Sequence, residues 1–282
     1  MGYAARIGVV AAGMTVLMVS GEFDLSIGSV FALTAVTDFY WTAQGMNVWV
    51  ATAISLTIAC LAGLLNGVLV VKMGINSFIT TLGTQFLFLS LALVATNGYT
   101  VIPPSDPLFQ FVMGNGNIFG ITDNILWFIA FIILCQLLLS KTRHGNWSMA
   151  VGGRATAAAA MGVPVGRVKI LNFVLCSFLA GLGGLVTLTR VNSASGNSGL
   201  GLELECIAAV VVGGTALYGG SGTVIGSMLG ALLLGIIFIG VNIAGVTSYW
   251  FEGVTGVVLV ITAILNQRIY NLREFRSRMS KR

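Results

Sequence analysis

At 282 residues the chain carries 56% hydrophobic and only 8% charged side chains, with a mean hydropathy of +0.96. That balance excludes an ordinary soluble domain, in which about a quarter of the residues are charged. The net charge of +5 does not point to nucleic acid, because the cations sit at the ends of apolar runs without interleaved aromatic residues.

The composition implies an all-α, polytopic transmembrane bundle, expected to form one membrane domain over residues 1–282. Apolar runs follow one another at 7–20, 27–43, 48–71, 78–96, 125–140, 170–189, 206–217, 224–244 and 251–265. About nine membrane segments are therefore expected. Several are shorter than the roughly 20 residues of a straight span, so broken or re-entrant segments are expected among them. The segment 97–124 carries Pro103, Pro104 and Pro107 and reads as a turn-rich cap.

Charge gives an independent check on the topology, since Lys and Arg concentrate in cytosolic loops. Placing Lys72, the interval 141–169 and the tail after Asn266 on the cytosolic side leaves an even number of runs between them. Twelve of the fourteen cations then fall inside, Arg6 and Arg190 being the exceptions, while Asp106 and Asp123 fall outside. The same scheme leaves the amino terminus outside, from which a further upstream helix is expected.

The interval 141–169 reads KTRHGNWSMAVGGRATAAAAMGVPVGRVK and holds Lys141, Arg143, Arg154, Arg167 and Lys169 with no acid. Residues 154–161 are good helix formers, stopped by Gly162 and Pro164, so a short helix is expected to stand clear of the bilayer. Such a helix is a handle for a soluble protein or a plain connector. His144, beside it, is expected to be solvated.

Two other stretches hold candidate functional residues. GEFDLSIGSV, residues 21–30, places Glu22 and Asp24 between two apolar runs near the cytosolic end. Ionisable groups there often mark a pathway, the plainer reading being a cap on the next helix by Asp24 and Ser26. In 199–230, Gly222, Gly226 and Gly230 recur every fourth residue and are expected to line one helix face for close packing. The pairs beginning at Gly213 and Gly219 mark tight turns, and Glu203 and Glu205 are expected outside, at an outer gate or against a soluble partner.

Cys60, Cys135, Cys176 and Cys206 lie in apolar runs without metal-ligand spacing and read as packing residues. No Gly-Lys pair exists for a P-loop, and neither a Ser/His/Asp nor a metal constellation is evident. Catalytic residues, a metal and a cofactor are thus not expected, and energy for uphill transport has to come from another chain.

Three words carry a resemblance to a known family: GEFDLSIGSV, GGRATAAAAMGVPVGRVK, and ELECIAAVVVGGTALYGGSGTVIGSMLGALLLG followed by NIAGVTSYW. Together, and over nearly the whole chain, they resemble the monosaccharide permeases of bacterial ATP-binding-cassette (ABC) importers, the ribose, xylose, arabinose and galactose group. The resemblance implies a homodimeric pore in the inner membrane, a periplasmic sugar-binding protein docking outside, and a pair of cytosolic ATPases that bind the ATP. It also implies that Gly153, Arg154, Ala155, Ala158, Met161 and Gly162 couple to the ATPase; in a mechanism built on that coupling, Arg167 and Lys169 are expected to fix the helix at the lipid surface. Rival readings are an ion-coupled carrier using Glu22 and Asp24, a non-transporting scaffold and, within the same transporter class, a branched-chain amino acid permease.

Overall fold

Left-handed glycines and asparagine caps punctuate the apolar runs. In the computed structural model, which describes residues 2–114, 116–118, 120–245 and 249–279, α1 (Gly2–Val19) stops just before Gly21, at φ +85°. The second helix, α2 (Ile27–Ala43), ends before Gly45, at φ +92°. Asn47 then opens α3 (Val48–Met73) by accepting from the Trp49 and Val50 amides, and Gly74 at φ +69° closes it. Asn76 opens α4 (Ser77–Thr96) in the same way, through the Phe78 amide.

The remaining elements are α5 (Pro107–Met113), a small antiparallel hairpin of β1 (Asn117–Ile118) and β2 (Ile121–Thr122), α6 (Asp123–Lys141), α7 (Arg143–Ala160), α8 (Val165–Arg190), α9 (Leu202–Val212), α10 (Val224–Ile243) and α11 (Tyr249–Met279). The class is the all-α bundle expected. Among the described residues six helices, α1, α3, α4, α6, α8 and α10, are long and apolar enough to cross a membrane. At 17 and 11 residues, α2 and α9 fall short of that length, so nine straight crossings do not follow from nine apolar runs. Residues 246–248, within NIAGVTSYW, and the last three of the basic tail lie outside the described residues.

The centre of the bundle is built from α1, α2 and α8. Both α1 and α2 are apolar on every side and almost wholly buried, the pattern of a helix surrounded by other helices. Small residues on α8 allow the approach: a side chain at Gly184 would strike the backbone of Phe31, and one at Gly181 would meet Thr34 and Ala59 within 3 Å. Around this centre stand α3, α4, α6 and α10, which turn Leu61, Phe86, Val94, Leu134, Leu229 and Ile236 outward. In a bilayer such faces meet lipid, and helix association rests on close packing and buried hydrogen bonds rather than on hiding apolar surface. One such bond joins Thr15 of α1 to Ser227 of α10 at 2.7 Å.

The chain after α8 re-enters the bundle alongside α4. Ala194 pairs with Val101 beyond the end of α4, Gly196 packs on Leu93, and Glu203 reaches Gln85 near the middle of that helix. There α9 begins, a half-length helix running toward the end of the bundle that carries α7. Gly226 and Gly230 let α10 pack on it, since added side chains would strike the carbonyls of Gly213 and Ala209. Gly222 is not on that helix face: it lies in the turn before α10, against Thr215 and Val19.

Candidate functional site

Two arms make up α7, joined at Arg154, whose backbone is extended (φ −161°, ψ 97°). Thr142 caps the first arm through the Gly145 amide, and this arm lies on the bundle with Gly145, Ser148 and Val151 buried. His144 is not solvated as expected: its Nε2 is 2.7 Å from Asn172 Oδ1, while Asn172 Nδ2 donates to Ser148 Oγ and to the Val16 carbonyl. The single amide side chain of α8 thus fastens the arm to α1 and α8.

The second arm ends in a Schellman motif. The Val163 amide donates to the Ala158 carbonyl and the Gly162 amide to that of Ala159, with Gly162 left-handed at φ +81°. The accompanying apolar contact is a small core in which Ala158, Val151 and Val168 are buried and Val163 and Val165 pack against them. Ala158 therefore faces the protein, which corrects its expected place on a docking surface. Gly153, Arg154, Ala157, Ala160 and Gly162 are exposed, Met161 is 85% exposed, and Ala155 is half-buried.

Under the bend, three chain breaks meet through glycines. An added side chain at Gly152 would strike the carbonyl of Val19, and one at Gly219 would lie 2.8 Å from Gly21 Cα and 3.0 Å from Gly152 Cα. The Gly220 amide donates to the Val19 carbonyl at 2.9 Å. The α1–α2 break, the bend of α7 and the turn before α10 are thus in backbone contact. A cleft of about 540 Å³ adjoins this junction, lined by Glu22, Phe23, Asn76, Ser77, Leu217 and Tyr218. Glu22 Oε1 binds Lys169 Nζ at 2.5 Å, linking the cleft to the first turn of α8.

Asp24 lies deeper than expected and does not cap α2. It is fully buried, with Oδ1 accepting from the Ser26 amide and hydroxyl at 2.8 and 2.6 Å. Oδ2 accepts from Asn66 of α3 and Ser177 of α8 at 3.2 and 3.5 Å. The carboxylate knots the α1–α2 break to two neighbouring helices. Asp38, which the sequence did not single out, is buried likewise and accepts from Thr52 on α3 at 2.8 Å.

Glu203 and Glu205 are not on an outer surface either, being 8% and 9% exposed in the first turn of α9. Arg6 lies 3.8 Å from Glu205, and Arg190 lies 4.0 Å from Asp123. The two cations left outside by the charge count are thus each beside an acid. Among the described residues no group of His, Cys, Asp and Glu is arranged to hold a metal ion, and all four cysteines are free.

An apolar bundle with a half-length helix buried inside it and an exposed arm at one end is the form of a membrane permease. The chain belongs to the family described as branched-chain amino acid transport system / permease component, whose model matches residues 1–263. It is 37% identical over 92% of its length to the probable ABC transporter permease protein y4mJ of Sinorhizobium fredii, covering 77% of that protein. It is 36% identical to the xylose/arabinose import permease protein XylH of Sulfolobus acidocaldarius, over 94% of this chain and 75% of that one. With the ribose import permease protein RbsC of Escherichia coli K12 it shares 34% identity, over 92% and 82% of the two chains. It is a multi-pass protein of the inner membrane.

Proposed function

We propose that this chain is the membrane-spanning subunit of an ABC importer that moves a monosaccharide delivered by a periplasmic binding protein, driven by a separate cytosolic ATPase. The likeness to ribose and xylose/arabinose permeases over more than nine-tenths of the chain supports the substrate class. The observation that carries the mechanism is the second arm of α7. It is exposed at Arg154, Ala157, Ala160, Met161 and Gly162, ends in a Schellman turn, and joins the first arm at Gly152 and Gly153, which touch the α1–α2 break and the α9–α10 turn.

A partner that grips this arm and closes on binding ATP displaces the two breaks together. The transmembrane parts then exchange between outward-open and inward-open states, provided that the partner's affinity differs between those states. ATP resides on the partner and the permease functions as a homodimer, residues 1–282 acting as one transmembrane domain with 141–169 its coupling loop. An ion-coupled carrier is disfavoured, because Glu22 is tied to Lys169 and Asp24 is occupied by neutral donors from three segments.

The test is reconstitution in lipid vesicles with a cognate cytosolic ATPase and periplasmic binding protein. Labelled monosaccharide uptake is expected only with all components and ATP. Uptake by the chain alone, driven by an ion gradient, would overturn the reading.

A further inference from the structure

We infer that Glu203 and Gln85 form a contact site for a neutral, polyhydroxylated ligand midway through the bundle, an inference that rests on the sugar-permease reading and deepens it. Glu203 stands where the re-entrant segment meets the middle of α4. Its Oε1 accepts from Gln85 Nε2 at 3.0 Å, and the amides of Gly201 and Glu203 lie near the carboxylate. Its Oε2 is buried without a hydrogen-bond partner.

The ion pairs of the described residues, Arg6 with Glu205, Lys169 with Glu22 and Arg190 with Asp123, leave Glu203 out. A buried carboxylate without a cation, one of whose oxygens has no hydrogen-bond partner, is costly, and a site that retains one gains when a ligand brings hydroxyl groups to it. The absence of a cation beside Glu203 disfavours an anionic ligand, whereas a carboxylate next to an amide offers the acceptors and donors that adjacent sugar hydroxyls need.

The surroundings supply a route. Oε2 is packed against the bare backbone of Gly28, where an added side chain would lie 2.5 Å from it, so a ligand reaches it when the re-entrant segment and α2 part. Gln85 is half-buried and shares one face of α4 with Ser77, Thr81 and Thr84, at helical spacing. This polar stripe runs through an otherwise apolar helix to Ser77, which lines the cleft beside Glu22 and Tyr218. Ser77, Thr81 and Thr84 are buried, so a path that opens between Glu203 and the cleft under the α7 bend would be lined by hydroxyl groups. Motion of that bend then acts on the end of that path.

The experiment compares uptake of radiolabelled ribose, xylose and arabinose by vesicles holding the complete importer, with wild-type permease or with Glu203→Gln, Glu203→Asp or Gln85→Ala. The same binding protein is used throughout, so its own selectivity cancels. Glu203→Gln and Gln85→Ala are expected to change the relative rates of the three pentoses by about 10-fold, the effect of one charge-assisted hydrogen bond. Glu203→Asp should return part of the wild-type ratio. Size-exclusion chromatography checks that each complex is assembled, and if one variant fails to assemble the other carries the comparison. Rates that stay unchanged, or fall in parallel with constant ratios, overturn the site while leaving the sugar-permease reading in place. A wild-type importer that moves no monosaccharide overturns both.

Discussion

The amide of Gly220 donates to the carbonyl of Val19 at 2.9 Å, tying the turn before α10 to the end of α1 directly beneath the bend in α7. Glycine is required on the α7 side of this contact: a methyl group at Gly152 would strike the Val19 carbonyl and lie 2.5 Å from the Gly220 amide nitrogen. A methyl group on the neighbouring Gly153 would meet nothing within 4 Å. Gly152→Ala is therefore expected to destabilise the protein by about 1–3 kcal/mol, the usual cost of overpacking. Gly153→Ala should leave its melting temperature unchanged or slightly raised. Thermal melting of the two variants in detergent separates them, and equal melting would remove the junction from the mechanism.

Ala157 and Ala158 are adjacent in sequence but face opposite ways. Ala158 is 6% exposed among Val151 and Val168, whereas Ala157 is exposed. Ala158→Asp buries a carboxylate in an apolar pocket and should cost about 3 kcal/mol or more. Ala157→Asp should change stability by no more than about 0.5 kcal/mol. On the coupling reading, Ala157→Asp nevertheless weakens co-purification with the ATPase by about 10-fold or more, the effect of ~1.4 kcal/mol at an interface. A stable Ala157→Asp permease that still holds and stimulates its ATPase would show that the arm is not the docking surface.

The apolar runs fall on helices because membrane segments are written in hydropathy, and the stop at Gly162 is legible because glycine takes the positive φ that a helix end needs. The contact among Gly21, Gly152 and Gly219 is not legible, since the three meet across long stretches of sequence. Depth is hidden from the sequence for one reason in two places. A segment that enters the bundle and turns back looks like an ordinary loop, so Asp24, Glu203 and Glu205 read as interfacial although all are buried. Asn66, Gln85 and Asn172, lone amides within apolar helices, were the available signal. Each proves to be hydrogen-bonded to another segment.

Asp24 accepts from Ser26, Asn66 and Ser177 with no cation among its partners. Asp24→Ala strands those donors in the interior and is expected to cost on the order of 3–5 kcal/mol. Asp24→Asn retains one acceptor oxygen and should fall between Asp24→Ala and wild type when melting is followed in detergent. If the residue is structural, ATP-driven uptake survives in the fraction of Asp24→Asn that folds. Complete loss of flux in well-folded Asp24→Asn protein would instead restore the ion-coupled reading.

Lys169 and Glu22 join the first turn of α8 to the rim of the cleft, both side chains being largely buried, 20% and 12% exposed. Removing one partner leaves the other charge poorly solvated, so Glu22→Gln and Lys169→Met should each lower stability by about 1–3 kcal/mol. Because the pair bridges the coupling loop and the cleft, each should also reduce uptake more than it reduces ATP hydrolysis. The exchange Glu22→Lys with Lys169→Glu restores the attraction while reversing its polarity. Recovery of melting temperature and of uptake per ATP in the double variant, beyond the sum of the single effects, identifies the pair as a mechanical link. Additive losses in the double variant would mean that each side chain acts separately, and motion at α8 would then have to reach the cleft through the glycine junction alone.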